Sequence, residues 1–177
     1  MKGLYEVNSV EETWALAREF AKELKPGDVV CLEGDLGAGK TTFVQGLAAA
    51  MGAKGRVTSP TFCIVQEHPA GASGAGMVTQ PAASAEFPTP PLHHSTTIPL
   101  LVHMDLYRLS GEDDVLAIGW EDYLARGAVI AVEWPERAGS LIPPQARRIS
   151  FRNTGENSRQ VAIDSGASDL VQYATYG

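Results

Sequence analysis

The apolar and polar positions change period several times along the chain, and each change marks an element. Leu4 to Asn8 reads as a short strand. Ser9-Val-Glu-Glu12 is a capping box, and the helix it opens sets Val10, Trp14, Ala17, Ala21 and Leu24 on one face before Pro26-Gly27 ends it. Asp28-Val-Val-Cys-Leu-Glu33 is a β-branched, apolar run suited to a buried strand. From Thr42 to Met51 the apolar residues fall at 43, 44, 47, 48 and 51, a helical spacing, and Gly52 stands where a C-cap glycine is expected.

Further on come a loop with Ser59-Pro60-Thr61, a strand from Phe62 to Glu67, and two apolar runs, Leu100 to Asp105 and Ala128 to Glu133, each ending in a carboxylate. Between those runs Asp113 to Leu124 has helical character, with Val115, Leu116, Trp120 and Leu124 as apolar anchors. Arg147 to Arg152 and Arg159 to Asp164 alternate as two strands joined through Asn153 to Ser158. The whole predicts an α/β fold: a mainly parallel central sheet flanked by helices, with short C-terminal antiparallel strands.

One segment breaks the pattern. Pro69 to Pro99 holds six of the eleven prolines and three glycines, with no Lys or Arg and Glu86 as its one acid, the composition of a flexible insertion. His93-His94 within it lack the partners a metal site needs, and solvent exposure is their ordinary state. The tail, Ser165 to Gly177, is short and weakly patterned. The expected organisation is one domain over residues 1–177 carrying an insertion at 69–99.

Composition narrows the function classes. At 177 residues and 44% apolar the chain can bury a full-sized core. No apolar stretch approaches a membrane span, and Met-Lys-Gly-Leu-Tyr-Glu lacks a signal-peptide core, so a cytoplasmic location is expected. Cys31 and Cys63 fall on separate predicted strands without metal spacing, which reads as buried, reduced thiols. The formal charge is −7, and no basic run exceeds Arg147-Arg148. Such a surface repels a polyanion, so nucleic acid is not gripped by this chain alone.

The chemistry is concentrated in Gly34-Asp-Leu-Gly-Ala-Gly-Lys-Thr-Thr42, which matches the phosphate-binding pattern G-x-x-x-x-G-K-[ST] throughout. Glycines let the backbone curl so that its N–H groups converge on phosphate, the following helix N-terminus adds positive potential, Lys40 adds a full charge, and the Thr41 hydroxyl suits Mg²⁺. The expected nucleotide contacts run from Asp35, Leu36, Gly37, Ala38 and Gly39 to Lys40, Thr41 and Thr42. Such a loop needs a further acid at the end of a neighbouring strand to hold the metal shell or orient water. Glu133, ending the more uniformly apolar run, and Asp105 both qualify, and either alone could be a strand-end cap. Thr61 could sense a γ-phosphate or serve as a turn residue.

Four motifs in this order, Gly34 to Thr42, Ser59-Pro-Thr-Phe62, His103-Met-Asp-Leu-Tyr-Arg-Leu109 and Glu133-Trp-Pro-Glu-Arg137, resemble the bacterial TsaE (YjeE) family over about residues 4 to 164 outside the insertion. The resemblance implies a P-loop NTPase-like fold, ATP and Mg²⁺, and work alongside TsaB and TsaD, with TsaD transferring the threonylcarbamoyl group to a tRNA adenosine. It implies that Lys40 and Thr41 hold the phosphate and Mg²⁺ positions, that Glu133 is the second metal-site acid, and that Asp105 serves hydrolysis. Thr42 and Thr61 match further polar contacts, and Trp134 either lines the nucleotide site or packs in the core.

The expected function is therefore a Mg-dependent ATPase of low intrinsic activity that meets tRNA only through its partners. A free-standing small-molecule or nucleotide kinase is the alternative. A kinase needs mobile, Arg-bearing lid segments, and the insertion contains no cation.

Overall fold

A computed structural model describes residues 1–53, 57–60, 63–69 and 100–164 of the chain. The elements run β1 (Gly3–Val7), α1 (Val10–Ala21), β2 (Val29–Glu33), α2 (Lys40–Ala50), β3 (Val65–Pro69), β4 (Leu100–Asp105), α3 (Glu112–Ala117), α4 (Trp120–Ala125), β5 (Val129–Glu133), a 3-10 helix (Pro135–Leu141), β6 (Arg147–Asn153) and β7 (Arg159–Asp164). They build one seven-stranded sheet in the order β1-β7-β6-β2-β5-β4-β3. Its centre is parallel, with β2 between β5 and β6, and β4 beside β5. The flanks are antiparallel: β7 on β6, β1 on β7 and β3 on β4. The sheet is thus mixed, more so than expected, because β1 and β3 also join as antiparallel edge strands.

Alternation along the central strands supplies two cores. Val30 and Leu32 of β2 face one layer, with Phe20 of α1 and Phe43, Val44 and Leu47 of α2. Val29 and Cys31 face the other, with Val115 of α3 and Trp120 of α4. In the first core Phe43 meets the edges of Phe20 and Phe151 at centroid distances of 5.8 and 5.6 Å, an edge-to-face arrangement of aromatic rings.

Half of the capping box forms: Ser9 Oγ accepts from Glu12 N at 3.1 Å, while the Glu12 carboxylate reaches past the cap to Asn8 N at 2.7 Å. The buried face of α1, however, is Thr13, Leu16, Ala17 and Phe20, rotated from the expected stripe, while Val10 lies exposed. The rotation follows from α2. A Cβ on Gly46 would stand 2.7 Å from Ala17 Cβ, so the two helices cross where both side chains are minimal. The regular helix also stops at Ala21, ahead of Pro26, and unwinds through i→i+3 bonds from Lys22, Glu23 and Leu24. At the end of α2, Ala53 N bonds to Ala48 O and Gly52 N to Ala49 O around a left-handed Gly52 (φ 69°), a Schellman cap at the expected glycine.

The expected helix at 113–124 is two short ones broken at left-handed Gly119, and Leu116 is exposed rather than an anchor. The strand expected from Phe62 begins at Val65 instead. Cys63 N and Ile64 N both bond to Pro60 O rather than to a neighbouring strand, and Cys63 is exposed, not buried. Cys31 is buried as expected. Pro69 closes β3, whereas the rest of the insertion (70–99) with His93-His94, the tail (165–177), and Thr61 with Phe62 lie outside the described residues.

Candidate functional site

The parallel strands β2, β5 and β4 end together, and the loop from Gly34 to Gly39 leaves β2 there to enter α2 at Lys40. Gly34, Gly37 and Gly39 all have positive φ, at 138°, 77° and 106°. At Gly34 the requirement is also steric, since a Cβ would sit 2.5 Å from the Phe151 carbonyl oxygen. The turn closes with Ala38 N on Asp35 O at 3.1 Å, and α2 then presents its first backbone N–H groups, which have no acceptor within the helix, toward the loop.

A cleft of about 540 Å³ opens over this loop. Its walls are Asp35, Leu36, Gly37, Ala38, Gly39, Lys40, Thr41 and Thr42, with Ser59, Asp105, Tyr107, Glu133 and Trp134. The residues from Asp35 to Thr42 and Trp134, expected from the sequence to touch nucleotide, lie on it, and both expected carboxylates do so too, whereas Thr61 is outside the described residues. Asp105 and Glu133 are register partners on β4 and β5, which is why two acids 28 positions apart share one floor.

Lys40 is 5% exposed, and its Nζ donates to Gly34 O at 2.7 Å and Asp35 O at 3.0 Å, 3.7 Å from Glu133 Oε2. Thr41 Oγ1 donates to Glu133 Oε1 at 3.3 Å. The Asp105 carboxylate accepts from Tyr107 N at 3.1 Å. A hydroxyl and a carboxylate converging on one cleft are the hard oxygen donors that suit Mg²⁺. Among the described residues no group of three or more His, Cys, Asp and Glu side chains is placed to hold a metal unaided.

Trp134 has φ 59° and ψ 51°, a left-handed conformation that costs a bulky residue energy, and a residue before proline ordinarily stays extended. The turn swings its ring into the cleft, where Tyr107 packs on it at 4.9 Å and Lys40 Nζ lies 5.8 Å from its centroid. Sequence reasoning left out three participants: Ser59, Tyr107 and His103. His103, fully buried, places Nε2 3.0 Å from Glu133 Oε1. Its signal was there in the strand period, because His103 and Asp105 stand two apart on one face of β4.

A phosphate-binding loop between a parallel strand and a helix, with acids at the ends of the adjacent strands, defines the P-loop NTPase class of α/β protein. The crystal structure of YdiB from Bacillus subtilis superposes with a TM-score of 0.65 at 28% identity, over 94% of this chain and 87% of that one. The chain belongs to the TsaE family: the family model described as "Threonylcarbamoyl adenosine biosynthesis protein TsaE" matches residues 7–161. The tRNA threonylcarbamoyladenosine biosynthesis protein TsaE of Bacillus subtilis is 35% identical over 86% of this chain and 79% of its own length. The protein of the same name from Streptomyces coelicolor is 40% identical over 82% of this chain and 83% of its own. The chain is accordingly a member of a family of tRNA threonylcarbamoyladenosine biosynthesis. No helix among the described residues is long and apolar enough to cross a membrane.

Proposed function

We propose that this chain binds Mg·ATP in the cleft and hydrolyses it slowly by itself, as the ATPase accessory to threonylcarbamoyl transfer onto tRNA by TsaD with TsaB. The observation that carries this reading is the convergence of Lys40, Thr41, Asp105 and Glu133 at one cleft over a phosphate-binding loop. Lys40 is the cation for the β- and γ-phosphates, and it leaves the Gly34 and Asp35 carbonyls to reach them. Thr41 and Glu133 hold Mg²⁺, which when bound offsets phosphate charge. Asp105 orients the attacking water, and Trp134 with Tyr107 forms an apolar wall for the nucleotide. Thr61 contributes a further polar contact.

Two features support low intrinsic turnover and a dependence on partners. Lys40 is the one cation among the described residues lining the cleft, so none of the described arginines is on its wall to meet the transferring phosphoryl group. The net charge of −7 argues that tRNA contact is made by the partner proteins. The cation-poor cleft also disfavours the kinase reading, which requires a lid that neutralises the phosphoryl group.

The test measures phosphate release from ATP by the chain alone and with TsaB and TsaD, for the natural sequence and Lys40→Ala. The natural chain should be slow alone and stimulated by the partners. Lys40→Ala should keep its circular dichroism and lose about tenfold to hundredfold in nucleotide affinity, the worth of one hydrogen bond to a charged group. Unchanged affinity in that variant, or full activity without partners, would overturn the proposal.

A further inference from the structure

Three donors surround the Glu133 carboxylate: Thr41 Oγ1 at 3.3 Å and His103 Nε2 at 3.0 Å on Oε1, and Lys40 Nζ at 3.7 Å from Oε2. Thr41 and Lys40 line the cleft and are committed, in the reading above, to Mg²⁺ and phosphate. His103 is different. It is fully buried, is not among the residues of the cleft wall, and reaches Glu133 from the neighbouring strand β4, on the same face of the sheet.

The chemistry of this contact is constrained. An ionised carboxylate only accepts, so Nε2 must carry the hydrogen, and in the neutral ring Nδ1 is then a bare acceptor. Nδ1 is buried with no hydrogen-bond partner among the described residues. A buried imidazole with one orphan nitrogen is a poor way to fill space, and an apolar side chain would avoid the penalty, as Leu101 does two residues earlier on the same face. Among the described residues, the return His103 makes for that penalty is the hydrogen bond to Glu133.

We propose that His103 is the positioning residue of the cation site, holding Glu133 Oε1 through Nε2–H so that the carboxylate keeps its orientation when Thr41 and Lys40 turn to their ligands. The proposal rests on the assignment of Glu133 to Mg²⁺. Ligand carboxylates are commonly oriented by such outer hydrogen bonds, whose loss costs about tenfold to hundredfold in metal affinity.

The experiment is calorimetric titration of ADP into the full chain over a series of Mg²⁺ concentrations, with folding checked by circular dichroism. Glu133→Gln tests the metal assignment itself. His103→Gln keeps an N–H donor near the position of Nε2, whereas His103→Asn is too short to reach Glu133. The expected result is that Glu133→Gln and His103→Asn each raise the Mg²⁺ concentration needed for the gain in ADP affinity by about tenfold to hundredfold. His103→Gln should recover most of that loss, and ADP affinity without Mg²⁺ should be the same for both His103 variants and the natural chain. If Glu133→Gln shifts the Mg²⁺ dependence and His103→Asn does not, the positioning role is wrong while the metal assignment stands. If Glu133→Gln leaves it unshifted, the metal assignment falls and this proposal with it. Equal impairment in His103→Gln and His103→Asn would make His103 a packing residue. His103→Leu is the donor-free comparison should the Asn variant not fold; if neither folds, His103 is structural and the proposal fails.

Discussion

Asp105 and Glu133 are register partners at the ends of two adjacent parallel strands, yet their carboxylates are held by different groups. Glu133 takes the hydroxyl of Thr41 and the imidazole of His103, while Asp105 takes the backbone N–H of Tyr107. Equivalent positions in the sheet therefore carry unequal chemistry.

The first prediction follows from that inequality. Glu133→Gln should move the Mg²⁺ dependence of nucleotide binding. Asp105→Asn should lower the hydrolysis rate about a hundredfold or more with little change in affinity, as expected for a group acting in the transition state. Calorimetry paired with single-turnover phosphate release separates the two. The reverse pattern would exchange their roles.

Loop geometry makes a second prediction about stability. Gly34→Ala adds both a left-handed strain at φ 138° and a Cβ 2.5 Å from Phe151 O, whereas Gly37→Ala adds strain at φ 77° with nothing within 4 Å of the new carbon. Urea unfolding should show a loss of about 2–3 kcal/mol for Gly34→Ala against about 1 kcal/mol for Gly37→Ala. Similar losses in the two would mean that the Phe151 contact relaxes freely.

The cysteines should differ in reactivity. Burial pushes the Cys31 thiol up to about 12, leaving almost no thiolate at neutral pH, while Cys63 is exposed. A colorimetric thiol reagent at about pH 8 should titrate one cysteine in the folded chain and the second only after denaturation. Cys63→Ser should remove the fast reaction.

His68 governs an acid-side prediction. Burial, with a smaller push from His103, holds its imidazole below the ordinary 6.5. The unfolded chain then binds the proton more readily, so the neutral ring's contribution is complete above pH 6.5 and is lost as pH falls through the lower, folded value. His68→Leu should flatten the fall in melting temperature between about pH 7 and 5 relative to the natural chain. Parallel curves for the two proteins would assign the acid sensitivity to other groups.

Local pattern carried much of this molecule. The phosphate loop could be read directly because its job is done by backbone and by residues adjacent in the chain, and the strand runs ending at Asp105 and Glu133 announced themselves through apolarity that His103 alone interrupts. Tertiary structure alone decided which face of α1 is buried, since that depends on Gly46 of another helix admitting Ala17. It decided that Cys63 sits in an exposed turn, because Pro60 O captures its N–H and that of Ile64 ahead of the strand. It also put His103 behind Glu133, 30 residues away. Periodicity along one segment reports which positions alternate. It does not report what covers them, and a hydrogen bond across two strands exists only once the sheet has set their order and register.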